Sequence, residues 1–386
     1  MIKRISWLLA LLLSVSPTGC TVYAVTQDIK EGGPSAAVQT WERRHALFAA
    51  VTQNGRKGFI RRSVDGGVTW KTVWDAGLHA RTRENRITDI AYGNGRLVAV
   101  GNTIVVSDDR GATWKEIVLK NYDQEQMFVS NKPLTAVTFG GGFFVTVGPN
   151  HVLYSSDGFS WKYVRFEKLS AAEQRRKKAK KKGEYPPDLT QNLMFPLDIV
   201  YAGGLFFVSG GSRDGVIATY SVVEETLVLY RKRELVKEYG KSARLRSGGM
   251  QSIAYNGRTG LLAASGGNRY MVSNDLGATW IFASFPGQDT GTAVLFSKEK
   301  WLAATTGGKV YFTHDIGSGW HKPNLTGSRN RINDICYANG FFFIVTDNDT
   351  VIRSPDEKHW ALAFRGAKGF HIMGITYADL GRLASQ

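Results

Sequence analysis

The sequence predicts an all-β chain folded as a seven-bladed β-propeller whose ring is closed by the C-terminal strand. Three observations predict it. A short turn motif ending in tryptophan recurs six times, one gap in its spacing leaves room for a seventh unit, and the chain stops half-way through an eighth. Composition agrees: 43 glycines and 10 tryptophans in 386 residues, with 43% hydrophobic content, suit many short strands joined by tight turns around a large core.

The motif first appears as Ser63-Val-Asp65-Gly-Gly67-Val-Thr69-Trp70. It returns around Asp109 and Trp114, around Asp275 and Trp280, and in a degraded form around Asp315 and Trp320. Two copies are one residue shorter, with Asp157 before Trp161 and Asp356 before Trp360. The tryptophans lie 44, 47, 119, 40 and 40 residues apart, so the long gap holds two periods and an insertion. The unit without a motif shows at Leu197-Asp-Ile-Val-Tyr201, which matches the opening of its neighbours. A period of roughly 40–50 residues with four short strands per unit is the signature of propeller blades.

The seven units end near Trp70, Trp114, Trp161, Tyr230, Trp280, Trp320 and Trp360. A new opening strand then begins at Ile372, and the chain ends before a third strand. The first unit lacks a clear opening strand of its own. The C-terminal strand is therefore expected to complete the first blade, which removes the exposed sheet edges of an open ring.

The repeated turn resembles the Asp box, or BNR repeat, found in sialidases, in some glucan hydrolases and in non-enzymatic propellers similar to photosystem II stability and assembly factors. The resemblance places each motif between the third and fourth strands of a blade. There the Ser or Thr and the Asp bond turn amides, and the tryptophan packs between blades. Asp65, Asp109, Asp157, Asp275, Asp315 and Asp356 are read as structural, because carboxylates spread around a ring do not converge on one site. The propeller is taken to occupy 41–386.

A catalytic reading finds little in the residues. A sialidase is expected to have six blades and an Arg-Ile-Pro stretch, and this chain has neither. Glutamates are scarce in the repeats, against a paired-carboxylate glycosidase. The seven histidines show no metal-ligand spacing, and His151 and His371 are read as solvent-facing loop residues. Cys336 lies in an inner-strand pattern and is read as a small core residue; with Cys20 in an unlike context, no disulfide framework is implied. No metal and no cofactor are expected.

Residues 1–19 read as a leader. Lys3 and Arg4 precede an apolar stretch, 5–15, that is shorter than the ~20 residues of a spanning helix. Ser16-Pro17-Thr18-Gly19-Cys20 resembles a bacterial lipoprotein signal, which implies lipidation of Cys20 and, because Thr21 is not aspartate, the outer membrane. Cleavage after Ala24 is the alternative. Residues 20–40 are then a lipidated N-terminus and linker.

The net charge is +16, and +14 without Lys3 and Arg4. The propeller topology gathers much of it on one face. The links between blades carry Arg81, Arg83, Arg86, Arg244, Arg246, Arg329 and Arg331, and the turns between second and third strands add Arg56, Lys57, Arg213, Arg269 and Lys309. An insertion at 167–193 contributes Arg175, Arg176, Lys177, Lys178, Lys180, Lys181 and Lys182, in a stretch where Ser170 is able to cap a short helix. A one-sided positive field attracts acidic partners. The expected partner is an acidic envelope protein or an anionic glycan or lipid, with nucleic acid set aside because the protein is exported. The leading expectation is a non-catalytic scaffold; a glycan-binding or glycoside-hydrolysing propeller is the alternative.

Overall fold

The computed structural model describes residues 45–77, 84–117, 133–149, 151–165, 196–211, 216–224, 226–231, 249–285, 289–321, 329–356 and 358–379. Cys20, the 167–193 insertion, Arg81, Arg83, Arg213, Arg244 and Arg246 lie outside them. The described residues form seven antiparallel sheets, six with four strands and one with three. Each sheet is one blade, numbered here in chain order. The fold is the seven-bladed propeller that the repeat predicted.

Ring closure takes the expected form. Phe370–Asp379 is the inner strand of blade one and pairs with His45–Gln53 along its length, so the last described segment and the first share a sheet. Tyr92 of blade two donates its hydroxyl to the Asp379 carbonyl at 3.0 Å. The buried carboxylate of Asp349, in blade seven, pairs with Arg61 of blade one. The Arg61 guanidinium also sits over Phe364 and Phe370, 5.7 and 5.3 Å from the ring centroids. A Cβ on Gly366 would fall 1.8 Å from Asp349 Oδ2, so only glycine lets the link into blade one pass this pair.

The second strand of each blade is the most deeply buried, as in Arg96–Gly101 and Phe341–Thr346, because blades cover both of its faces. Seven apolar clusters result, one at each junction between neighbouring blades. Ile87, Ile90 and Leu97 of blade two meet Phe48 and Ile60 of blade one. Cys336 and Phe343 of blade seven meet Leu47, Ile372 and Tyr377 of blade one. Cys336 is fully buried, as a core residue should be.

The aspartate turns lie where the motif placed them. In the first, Gly67 N donates to Ser63 Oγ at 2.9 Å, Thr69 N donates to Asp65 Oδ1 at 2.9 Å, and Trp70 Nε1 donates to the Gly67 carbonyl at 2.9 Å. The amide-to-carboxylate bond repeats at Asp109, Asp157 and Asp275, and the tryptophan bond at Trp161 and Trp280, whereas Trp114 Nε1 has no partner. Partial burial raises the Asp65 carboxyl, but the bonds from Thr69, Ser63 and Val68 outweigh it and hold the group below the ordinary range. The degraded copy differs. Asp315 takes its amide bond from Gly317 instead, at 2.9 Å, and in place of a fourth strand blade six shows only a bridge between Phe312 and His321 among the described residues.

Candidate channel mouth and basic face

In each blade, the link into the inner strand and the turn between second and third strands lie at the same end, opposite the aspartate turns. Arg56, Arg86, Arg269, Lys309, Arg329 and Arg331 belong to those links and turns. The structure adds that several cations there are already paired. Arg86 meets Glu84 at 2.9 Å, Lys309 meets Asp289 at 2.8 Å, and neighbouring Lys57 meets Asp75 at 2.8 Å. The Asp289 carboxylate also accepts the Tyr311 hydroxyl at 2.5 Å. Lys309 is thus part of a local clasp as well as of the surface charge.

Arg331 is held differently. It is exposed, and its Nε donates to Asn333 Oδ1 at 3.2 Å while Nη2 donates to Gln251 Oε1 at 3.3 Å. Asn333 belongs to blade seven, and Gln251 immediately precedes the inner strand of blade five. The side chain therefore reaches across the front of blade six, at the rim of the central channel. Asn333 Nδ2 donates in turn to Asp347 Oδ1, which also contacts His371 Nδ1 at 3.1 Å. His371 lies on the inner strand of blade one and is partly buried, and His151 opens a strand of blade three. This corrects the placement of both histidines in loops: each sits at a strand end that sequence pattern alone reads as turn.

Below the rim is a cavity of about 110 Å³. Thr88, Leu197, Thr292, Asn333 and Met373 line it, each at an irregularity in the inner-strand register that turns an extra residue toward the axis. Beside them stand three aspartates that sequence reasoning did not single out: Asp89, Asp198 and Asp334. Each joins its own blade to the next. Asp89 accepts the Val137 amide at 2.8 Å, Asp198 accepts the Ile253 amide at 2.9 Å and the Ser252 hydroxyl at 2.8 Å, and Asp334 accepts the Ile375 amide at 2.9 Å. Ser252 passes the device on by accepting the Val294 amide at 3.2 Å. The signal was present in the sequence: the strand openings Thr-Asp-Ile, Leu-Asp-Ile and Asn-Asp-Ile each put a charge into an apolar pattern.

These carboxyls line the cavity, and burial makes their ionisation costly. Burial pushes Asp198 up to about 6 and Asp334 up to about 7. Burial and the nearby Asp334 charge push Asp89 well above the carboxylate range. Among the described residues no cluster of three or more acidic, histidine or cysteine side chains is placed to hold a metal ion.

No known family's sequence profile matches the chain, and no curated protein does. Solved structures do match in fold. YCF48 from Cyanidioschyzon merolae aligns with a TM-score of 0.52 at 16% identity, over 72% of this chain and 84% of that one. YCF48 bound to D1 peptide aligns at 0.50 and 18% identity, over 76% and 93%. The computationally designed Ika8 protein aligns at 0.51 and 12% identity, over 87% and 94%. At these identities the likeness establishes the architecture.

Proposed function

We propose that the chain is a non-catalytic scaffold that binds an acidic protein through the face carrying the channel mouth. The observation that carries this reading is the convergence of cations on one face, among which Arg331 is oriented by two uncharged amides and meets no carboxylate. The likeness to YCF48 propellers, one of them bound to D1 peptide, supports a protein-binding role for this architecture. The repeated turns are read as Asp boxes with a structural task, since their carboxylates are committed to their own turn amides. The leader and Cys20 complete the proposal: an exported protein anchored by lipid at the outer membrane, with the 167–193 insertion adding positive charge beside the ring.

The glycan-hydrolysing alternative draws less support. The three channel carboxyls are committed to main-chain amides of the next blade, and among the described residues lining the cavity there is no tyrosine or arginine to complete a glycosidase site. The test is affinity capture of the tagged full-length protein from envelope extract, followed by rebinding of the purified captured protein. The proposal expects one acidic protein to rebind directly and to be released by salt. Direct rebinding that is indifferent to salt, or cleavage of a sialoside or glucan by the purified protein, would overturn it.

A further inference from the structure

We propose that Arg331, Gln251 and Asn333 form a seat for a single carboxylate group at the rim of the central channel. The inference deepens the scaffold reading, on which it rests for its biological ligand, because it names the chemical group that the face would take. Arg86, Lys309, Lys57 and Arg61 each have an acidic partner within ion-pair distance. Arg331 instead donates to the side-chain oxygens of Asn333 and Gln251, at 3.2 and 3.3 Å. Those oxygens fix the guanidinium plane without neutralising it. A guanidinium carries five N–H donors, and two are used here, so its remaining edge is oriented and charged. That geometry suits the two oxygens of a carboxylate.

The surroundings supply the rest. Gln251 and Asn333 line the cavity, so the cation stands at the rim of a polar space of about 110 Å³. A space of this size accepts several waters or one small group. Thr292, on the strand that Arg331 crosses, lines the same sector; it is 4% exposed and its hydroxyl has no hydrogen-bond partner. The acids nearest the seat are otherwise engaged. Asp347 is shared between Asn333 and His371, and Asp89, Asp198 and Asp334 are bonded to amides in the cavity wall.

Two sources share this chemistry, a free small carboxylate and a carboxylate of a peptide, and the test separates them. Acetate is the first probe, compared with chloride at equal ionic strength by thermal melting. The seat predicts that about 200 mM acetate raises the melting temperature of the wild type, since a ligand bound only by the native state stabilises it. Arg331→Gln and Arg331→Lys should both lose this shift, and Arg258→Gln, in a turn at the opposite end of blade five, should keep it. Labelled hexaglutamate is the second probe. Arg331→Gln and Arg331→Lys should weaken it about tenfold, on the order of one charge-assisted hydrogen bond, whereas Arg329→Gln should cost less than about threefold. Hexaglutamate that binds in a salt-dependent way but does not distinguish Arg331 from Arg329 would overturn the seat and leave the scaffold reading standing. A wild type that ignores hexaglutamate but retains an Arg331-dependent acetate shift would support the seat for a free carboxylate and count against the scaffold. Loss of neither signal in Arg331→Gln overturns the seat.

Discussion

At the scale of single residues, the two sets of aspartates respond to pH in opposite senses. Those in the repeated turns accept several hydrogen bonds and are held below the ordinary carboxylate range. Their contribution is present above about pH 4 and is lost as pH falls through their lowered values. The channel aspartates are raised by burial, so the folded chain binds protons there that the unfolded chain releases. Their contribution is full below about pH 4 and is lost as pH rises through about 6 for Asp198 and about 7 for Asp334. Stability should therefore peak in mildly acidic solution and fall toward pH 8. For Asp198 alone the shift corresponds to about 3 kcal/mol between pH 4 and pH 8. Urea denaturation of Asp198→Asn should show a fall smaller by about that amount than the wild type shows. Parallel pH profiles for the two proteins would refute the assignment. These residues also mark what the sequence shows only faintly, as a charge in an apolar strand opening. The turn aspartates announce themselves by repetition. Asp89, Asp198 and Asp334 occur in only some blades, at a register irregularity that no periodicity reveals, and their bonds run to strands roughly 40–55 residues away in sequence. Gln251 and Asn333 were silent, because a neutral amide in a strand opening carries no pattern of its own.

At the scale of elements, most of the architecture was legible. Each blade shows its strands through short apolar runs and its turns through glycine and aspartate, and even the motif-less blade four keeps Pro196–Ala202 and Leu205–Gly210 as a recognisable pair. Blade six is less regular: among the described residues a bridge between Phe312 and His321 stands where its neighbours have a fourth strand, and the degraded turn around Asp315 is its sign in the sequence. The inner strand of blade one was inferred by elimination, and it is the element on which the ring depends. Phe370–Asp379 buries Ile372, Ile375, Tyr377 and Ala378 almost completely, pairs with His45–Gln53, and carries the Ile375 amide bonded by Asp334. Burying one large apolar side chain contributes about 1.5–3 kcal/mol, so losing three of them takes away a large part of the 5–15 kcal/mol by which a typical domain is stable. A chain ending at residue 369 should unfold or self-associate through the exposed edge of His45–Gln53, measured by light scattering and circular dichroism. A truncated monomer with an unchanged melting temperature would reject closure by this strand.

At the scale of the whole molecule, the ring sorts chemistry by face. One face holds the self-satisfied aspartate turns. In the scaffold reading, the other presents links and turns rich in arginine around a channel mouth whose interior carboxyls are raised by burial. Local ion pairs consume part of that positive charge, and on this reading the rest acts outward. Exposed charges contribute little to folding, so the face is free to serve binding. The most direct test replaces Arg81, Arg83, Arg244, Arg246, Arg329 and Arg331 together with glutamine and measures the affinity of the captured acidic protein. It is measured at about 50 and about 500 mM NaCl, a range that shortens electrostatic reach from about 14 Å to about 4 Å. The wild type should lose at least about tenfold in affinity across that range, and the variant should bind weakly at both salts with a nearly unchanged melting temperature. Equal affinity of wild type and variant at both salts would contradict the account.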